Sequence, residues 1–542
     1  MFLYRNVHRF KVYQDVRYFC KTTLKNKALD ENTVTGRLLL CVKDLNQRNA
    51  SELNTSISFD WNKSEHVIKE LQSSKTPSEL SRKLNYFNNK CCNRLTDLDT
   101  TSIFNILNIY MKIVPNKILK YEFYKAALTF LNEYFQFLST KEVLQLMFYA
   151  GLQKNTGNSE LLLKQCLRSF NQKTIDELTV NELSIICNST FKCSTRIKNE
   201  AFCVKIIDTI NNNLDILKDT RIFVTLIKTL RHNRAQNESI LSTISCAMLF
   251  NSTYEHYDFT TMCHVLALFS DYSYYDENIL NLFKDKAVEE LTCDVVKKSN
   301  FSDKIRAKDI KRFLWAYSNL GYKLDKRLIK DVFIKIMVKK IGDKDYDDEP
   351  ETLLDCILYL WIMEYQAFEL VPYCFSNDKI TQIKKSKTKS KDKLNMLLSC
   401  MQLENLSLFK ELQLKPQSFQ YYNIKKQLSY RPNLERVYGI LKELSDSVEL
   451  NKFEYECQIP HVQIVGITGY KKNIYKSVFI EVFDDYVCVK NKIDYASGLM
   501  QLKLRLLDKM DQGLIIISTD DLNTMNDAEL KEHLIYEINM VC

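Results

Sequence analysis

The stretch FYAGLQKNTGNSELLL, residues 148–163, holds one unit of the pattern that decides the fold. Phe148 and Leu152 are four residues apart, and the pair Leu162/Leu163 follows 10 and 11 residues after Leu152. Apolar positions four apart, then a second apolar pair after a short connection, describe two amphipathic helices packed as a hairpin. Outward from Leu152 the same register recurs at Ile113, Phe191, Leu230 and Phe269, each step 39 residues long. Phe148 belongs to a column with Ile109, Cys187, Leu226 and Val265. Leu162/Leu163 match Phe123/Tyr124, Ala201/Phe202, Ile240/Leu241 and Ile279/Leu280. One helical pair cannot bury its own apolar stripe, so a fixed period of this length predicts a mainly α chain stacked as an α-solenoid.

Composition agrees. The 542 residues include 10 glycines and 7 prolines, few for punctuating helices. Gly466, Gly469, Gly498 and Gly513 all lie in the last 77 residues, so the tail is built differently. Seventeen cysteines show no CxxC pair, and seven dispersed histidines complete no zinc ligand set. No metal and no cofactor is expected, and the thiols read as reduced in an intracellular setting. The absence of any run of about 18 apolar residues speaks against a transmembrane helix. Before Asp30 the only acid is Asp15, against Arg5, Arg9, Lys11, Arg17, Lys21, Lys25 and Lys27. Such a start over residues 1–29 fits a mitochondrial targeting segment, or else a basic arm that stays on the protein and touches RNA.

Along the chain, residues 30–99 are polar, with helical pattern near Glu65–Leu71 and Pro77–Asn85. The repeat array is expected over 100–375, loosened after Phe269 by insertions, one within Leu291–Asp303 and one at the acidic run Asp345–Glu349. Lys384, Lys385, Lys387, Lys389, Lys391 and Lys393 suggest a mobile linker over 376–393 that is also able to contact phosphates. A helical connector follows over 394–455. From 456 the period changes to two, with strands expected at Val462–Ile467 and Tyr475–Phe483. A helix over Ser497–Met510, a buried strand Leu514–Ile517 and a last helix capped by Asp527 complete a small α/β domain, 456–542.

This tail resembles the RAP domain. The resemblance rests on Ile480-Glu481-Val482 in a strand, Leu502-Lys503-Leu504-Arg505-Leu506-Leu507 in the next helix, Gly513 before the Ile-rich strand, and the closing segment from Asp521-Leu522 to Lys531-Glu532-His533-Leu534. RAP proteins often carry helical arrays of the octotricopeptide or FAST-kinase type and act on organellar RNA. The resemblance therefore implies a mitochondrial matrix protein that binds RNA. With the Asn- and Lys-rich usage it points to an apicomplexan source, where mitochondrial ribosomal RNA is fragmented. The expected role is a mitochondrial ribosome component or assembly factor that holds rRNA beside ribosomal proteins, with no membrane and no small-molecule substrate. Three alternatives stay open: a free RNA stability or processing factor, a metal-dependent RNA endonuclease, and a repeat scaffold that binds only proteins.

The endonuclease alternative arises because RAP domains are similar to restriction-type nucleases, which set two carboxylates and a lysine around a divalent metal. Glu481 is the single catalytic candidate. Phe483 occupies the lysine position of the Glu-x-Lys pattern, Val462–Ile467 supplies no aspartate, and Asp484 and Asp485 are displaced. Gly466-Ile467-Thr468-Gly469 lacks the spacing of a phosphate loop. Charge places RNA elsewhere. Residues 451–542 hold 10 Lys+Arg and 14 Asp+Glu, leaving a net +13 on residues 1–450. The candidate RNA contacts are Lys192, Arg196, Lys228, Arg231 and Arg234 in the array, Lys384, Lys385, Lys387 and Lys389 after it, and Lys503 and Arg505 in the tail.

Overall fold

The computed structural model describes residues 33–50, 64–154, 156–235, 237–296, 305–386, 388–418, 423–444, 450–471, 477–510 and 512–541. The basic start over 1–29 and Lys387 lie outside them. The described chain is mostly helical with one four-stranded sheet near its end, and it divides into two compact units at residues 206 and 207.

In the first unit, α1 (Val34–Ala50), α2 (Ser64–Gln72) and α3 (Pro77–Cys92) precede three helices of the periodic kind, α4 (Thr100–Ile113), α5 (Thr140–Leu152) and α6 (Val180–Lys192). Helix α1 packs on α4, α5 and α6 through Leu38, Leu39, Cys41, Val42 and Leu45, all buried. The region expected to be polar and only weakly patterned thus carries core of its own. In the second unit, α7 (Thr220–Asn233), α8 (Phe259–Asp271), α9 (Ala307–Asn319), α10 (Pro350–Ile362) and α11 (Thr388–Glu404) pack each on the next.

The column Ile109, Phe148, Cys187, Leu226 and Val265 is buried throughout. The column four residues later is buried at Leu230 and Phe269, but Phe191 is 39% exposed, so the earlier column carries the core.

Local chemistry at both helix ends sets the spacing. Asp99, Ser139, Thr179, Asp219 and Asp258 each cap a periodic helix, the side-chain oxygen accepting from a backbone N–H three residues on. These caps satisfy donors that have no intrahelical partner. At the other end, Lys154, Ser194, Arg234, Ser273 and Glu364 take positive φ. After four of these five, the next residue's N–H bonds back into the helix: Thr195 to Thr190 O, Ala235 to Leu230 O, Tyr274 to Phe269 O and Tyr365 to Leu360 O. That is a left-handed closure usually given to glycine. Here side chains other than glycine hold it, at about 1–2 kcal/mol of strain each.

The tail begins with α12 (Pro432–Glu443), then β1 (Leu450–Glu456), β2 (Gly466–Lys471), β3 (Ser477–Val482), α13 (Gly498–Asp508), β4 (Gly513–Ile517) and, after a short turn of helix, α14 (Asp527–Val541). The sheet order is β1-β2-β3-β4, antiparallel except for the β3–β4 pair that α13 connects. Arg431, fully buried, ties this module together. Its Nε donates to Asp484 Oδ2 at 2.7 Å and its Nη2 to the Val482 carbonyl at 2.7 Å.

Four expectations need correction. The linker over 376–393 is helical, Asn377–Lys385 and the first turns of α11, because Ile380, Ile383 and Leu394 are buried. Lys393 turns inward to Asp355 at 2.9 Å. The first expected strand is displaced: pairing starts at Gly466, and Gly469, beyond the end of the expected strand, lies inside β2. An edge strand, β1, forms in the segment expected to be connector, because its alternating Phe453 and Tyr455 pack on the tail core. Asn526, not Asp527, caps the last helix, its Oδ1 accepting from Ala528 and Glu529 N–H.

The closures give a direct test. At Ser194 (φ 53°), Ser194→Gly is expected to raise stability by roughly 0.5 kcal/mol, while Ser194→Val lowers it by roughly 1–2 kcal/mol. Urea melts of the full chain check the opposite signs.

Candidate nucleic-acid interface

Adjacent helices α7, α8 and α9 bring five cations together. Lys228 and Arg231 come from α7, Lys308 and Arg312 from α9, and Arg306 from the residue that precedes α9. Lys228 lies within electrostatic reach of Arg312, Arg306 and Lys308, and His264 of α8 within reach of Lys228, Arg312, Arg231 and Arg306. Asp309 organises the group from beneath. It is fully buried, and its carboxylate accepts from Arg306 Nη2 at 2.9 Å, Arg312 Nη1 at 2.8 Å and Thr260 Oγ1 at 3.2 Å. Arg231 Nε donates to Asp271 Oδ2 at 2.6 Å, and its guanidinium lies 5.9 Å from the Trp315 ring centroid.

The cluster is held partly out of water, and its electrostatics show it. Burial first, then the Arg312 and Arg306 guanidiniums, bring Lys228 down to about 8, against the opposing pull of Asp309. Burial and Arg306 lower Lys308 in the same direction. Burial, then Lys228, Arg312 and Arg231, hold His264 far below the usual histidine range, so its ring is neutral. Arginine only donates. His264 Nε2, 3.5 Å from Arg312 Nη1, is therefore the acceptor, and the ring proton sits on Nδ1, which is buried without a partner. Five cations stand against three carboxylates, Asp271, Asp309 and Glu349. Such a group suits a polyanion. Lost hydration is recovered when phosphate oxygens arrive, and each phosphate releases counterions.

The other candidates are dispersed. Arg196 and Arg234 are exposed, Arg234 on a left-handed closure. Lys192 is half-buried, its Nζ 2.9 Å from Thr35 Oγ1. Lys384 and Lys385 are exposed at the end of helix Asn377–Lys385, and Lys389 in the first turn of α11.

The tail cations face inward. Lys503 is fully buried and pairs with fully buried Glu481. Arg505 reaches the end of α10, donating to the Trp361 carbonyl at 2.8 Å and the Ile362 carbonyl at 3.2 Å, and pairs with Glu404 at 2.6 Å. A cation there satisfies orphan helix-end carbonyls and complements the helix dipole. Beside it, Gly498 meets α9 so closely that a Cβ would lie 1.6 Å from the Ser318 carbonyl oxygen.

Of the three carboxylates considered for metal chemistry, Glu481 and Asp484 are buried, while Asp485 is exposed. Glu481 is engaged by Lys503, and Asp484 by Arg431. Among the described residues no group of three or more His, Cys, Asp or Glu is placed to hold a metal ion. Gly466–Lys471 is strand β2, paired on both sides rather than looped around a phosphate.

Comparison with known proteins points one way. No family model matches the chain. It is similar to FAST kinase domain-containing protein 5, mitochondrial. The human protein is 21% identical over 295 residues, covering 54% of this chain and 36% of that protein. The mouse protein is 21% identical over 386 residues, covering 68% and 46%. The macaque protein is 22% identical over 295 residues. The chain thus spans between about a third and a half of the length of these curated relatives. The similarity is distant homology that fits the FAST-kinase type of array expected from the tail.

Sequence reasoning found Lys228 and Arg231 but missed Arg306, Lys308, Arg312 and Trp315. Helix α9 starts 48 residues after α8 instead of 39 or 40. The insertion broke the register that would have aligned Arg312 with His264.

The buried pair gives the prediction for this region. Removing one partner of a buried ion pair strands the other charge, so Lys503→Met alone is expected to cost roughly 3–5 kcal/mol. The double variant Glu481→Leu/Lys503→Met recovers most of that loss. Equal melts for the single and double variants would show that the pair does not set the stability of the tail.

Proposed function

We propose that this protein is a mitochondrial RNA-binding protein that grips single RNA strands by their phosphates on the α7–α9 face and performs no chemistry on them. The observation that carries the proposal is the partly desolvated cluster of Lys228, Arg231, Arg306, Lys308 and Arg312 on stacked helices. Within the second unit, helices α7 to α11 pack each on the next and extend this face. Mitochondrial residence is supported by the relatives, whose names place them in that organelle. The RAP-like tail serves as a rigid partner to the array, since its two motif cations are committed to internal pairs. Engagement of Glu481 by Lys503 and of Asp484 by Arg431 favours binding over hydrolysis. The RNA expected from the resemblance is ribosomal. Co-sedimentation with mitochondrial ribosomal particles at high salt separates a resident component from a free processing factor.

Lys228 supplies the test of the phosphate grip. It carries its charge below about 8 and loses it above. RNA affinity is therefore expected to fall as pH rises from 7 to 9, with the salt slope shrinking by about one. Lys228→Arg stays charged and should flatten that pH response; Lys228→Gln should show weak binding at every pH. Affinity that is indifferent to Lys228, Lys308 and Arg312 together would place RNA elsewhere. Cleavage of RNA with Mg²⁺ by the wild type, lost in Glu481→Ala, would overturn the non-catalytic assignment.

A further inference from the structure

The first unit contains a cavity of about 390 Å³ bordered by α2, α3 and the start of α4. Two neighbouring stripes of α3 give it its contrast. Arg82, Tyr86 and Lys90 lie four residues apart along one stripe, and Arg94 continues that spacing just past the helix end. Phe87 and Cys91 lie on the next stripe and are buried, with Leu71 of α2 and Ile106 of α4, as an apolar floor. Burial pushes the Cys91 thiol up to about 12 against the pull of Lys90, so it is an uncharged part of that floor. The rim is cationic. Arg82, Lys90 and Arg94 are exposed and make no salt bridge among the described residues. Lys83, the fourth rim cation, is held by Glu79 at 3.1 Å and by the Glu70 carbonyl at 3.4 Å. Glu70 is the one carboxylate among the described lining residues.

We propose that this cavity binds a medium-chain fatty acid, its hydrocarbon tail on the Leu71, Phe87, Cys91 and Ile106 floor and its carboxylate at the Arg82, Lys90 and Arg94 rim. A cavity of small-ligand size that is apolar within and charged at its edge suits an amphiphile. A methylene takes about the space of a water molecule, roughly 30 Å³ in the liquid, so the chain that fills it has roughly ten to thirteen carbons. Four cations against one carboxylate call for an anionic head, and charge-assisted hydrogen bonds to arginine and lysine hold one well. An RNA base suits the cavity less. The described lining has no amide side chain, so the donors and acceptors on a base edge would be buried unanswered. The site lies in a different compact unit from the α7–α9 cluster and is independent of the RNA grip.

The full chain, free of RNA, is titrated calorimetrically with octanoate, decanoate, dodecanoate and hexadecanoate below their aggregation limits, and with dodecan-1-ol. Affinity is expected to rise by up to about fourfold for each methylene from octanoate to dodecanoate, then to gain nothing at hexadecanoate. Dodecan-1-ol, with the same tail and no charge, should bind roughly tenfold more weakly. Arg82→Gln/Lys90→Gln/Arg94→Gln changes only exposed positions and should bring dodecanoate down to the level of the alcohol. Val67→Trp, at a half-buried lining position, should fill the cavity and weaken acid and alcohol alike. A diazirine-bearing dodecanoate should label peptides within residues 64–106. The absence of dodecanoate binding, equal affinity for acid and alcohol, a gain that continues through hexadecanoate, or labels confined to other residues each overturns the proposal. Displacement of the label from these peptides by a single-stranded RNA would assign the cavity to RNA and overturn it as well.

Discussion

The periodic helices bury an apolar column that none could bury alone, and everything else in the chain is arranged around that need. Ile109, Phe148, Cys187, Leu226 and Val265 are each 3% exposed or less. Within each unit that burial is what makes neighbouring helices lie side by side, and apolar burial is the dominant favourable term in such packing. Caps at Asp99, Ser139, Thr179, Asp219 and Asp258 start the helices, and left-handed closures such as Ser194 and Arg234 end them. Local hydrogen bonds thus fix both ends of each helix, and the starts from Thr100 to Phe259 follow one another at 39 or 40 residues.

That register has a chemical consequence on α7–α9. Side chains that are solvated charges on a lone helix become neighbours on stacked ones, and buried Asp309 orients two guanidiniums between them. The cluster is cationic because five basic groups meet three carboxylates there, and it is partly dry because adjacent helices shield it. The tail uses its own cations differently. Arg505 closes the end of α10 and Lys503 neutralises Glu481, so the domain with the recognisable motif supplies rigidity while the array supplies the charge.

Much of this was legible in the residues. Columns spaced by 39 gave the helical array, and the move from period 3.6 to period 2 gave the α/β tail with its helix at Ser497 and strand at Leu514. The basic balance of residues 1–450 placed the net positive charge outside the tail. What escaped had physical reasons. Seven closely spaced positive residues, Lys379 to Lys393, hid Ile380 and Ile383, so two helices read as a linker. Edge strand β1 alternates over only a few residues and relies on tertiary packing. Lys503 and Arg505 have the same sequence context as phosphate-binding residues; only the fold shows that their partners are Glu481, Glu404 and two carbonyls. The cluster itself spans an insertion, which no fixed period can bridge.

The central claim is that RNA lies on the α7–α9 face. Ultraviolet crosslinking of a single-stranded RNA to the full chain, followed by mass spectrometry of the nucleotide-bearing peptides, tests it most directly. Crosslinks concentrated in residues 220–233, 259–271 and 306–319, with Trp315 among them, are the predicted result. Crosslinks confined to the tail beyond residue 450, with none on these helices, would contradict the account.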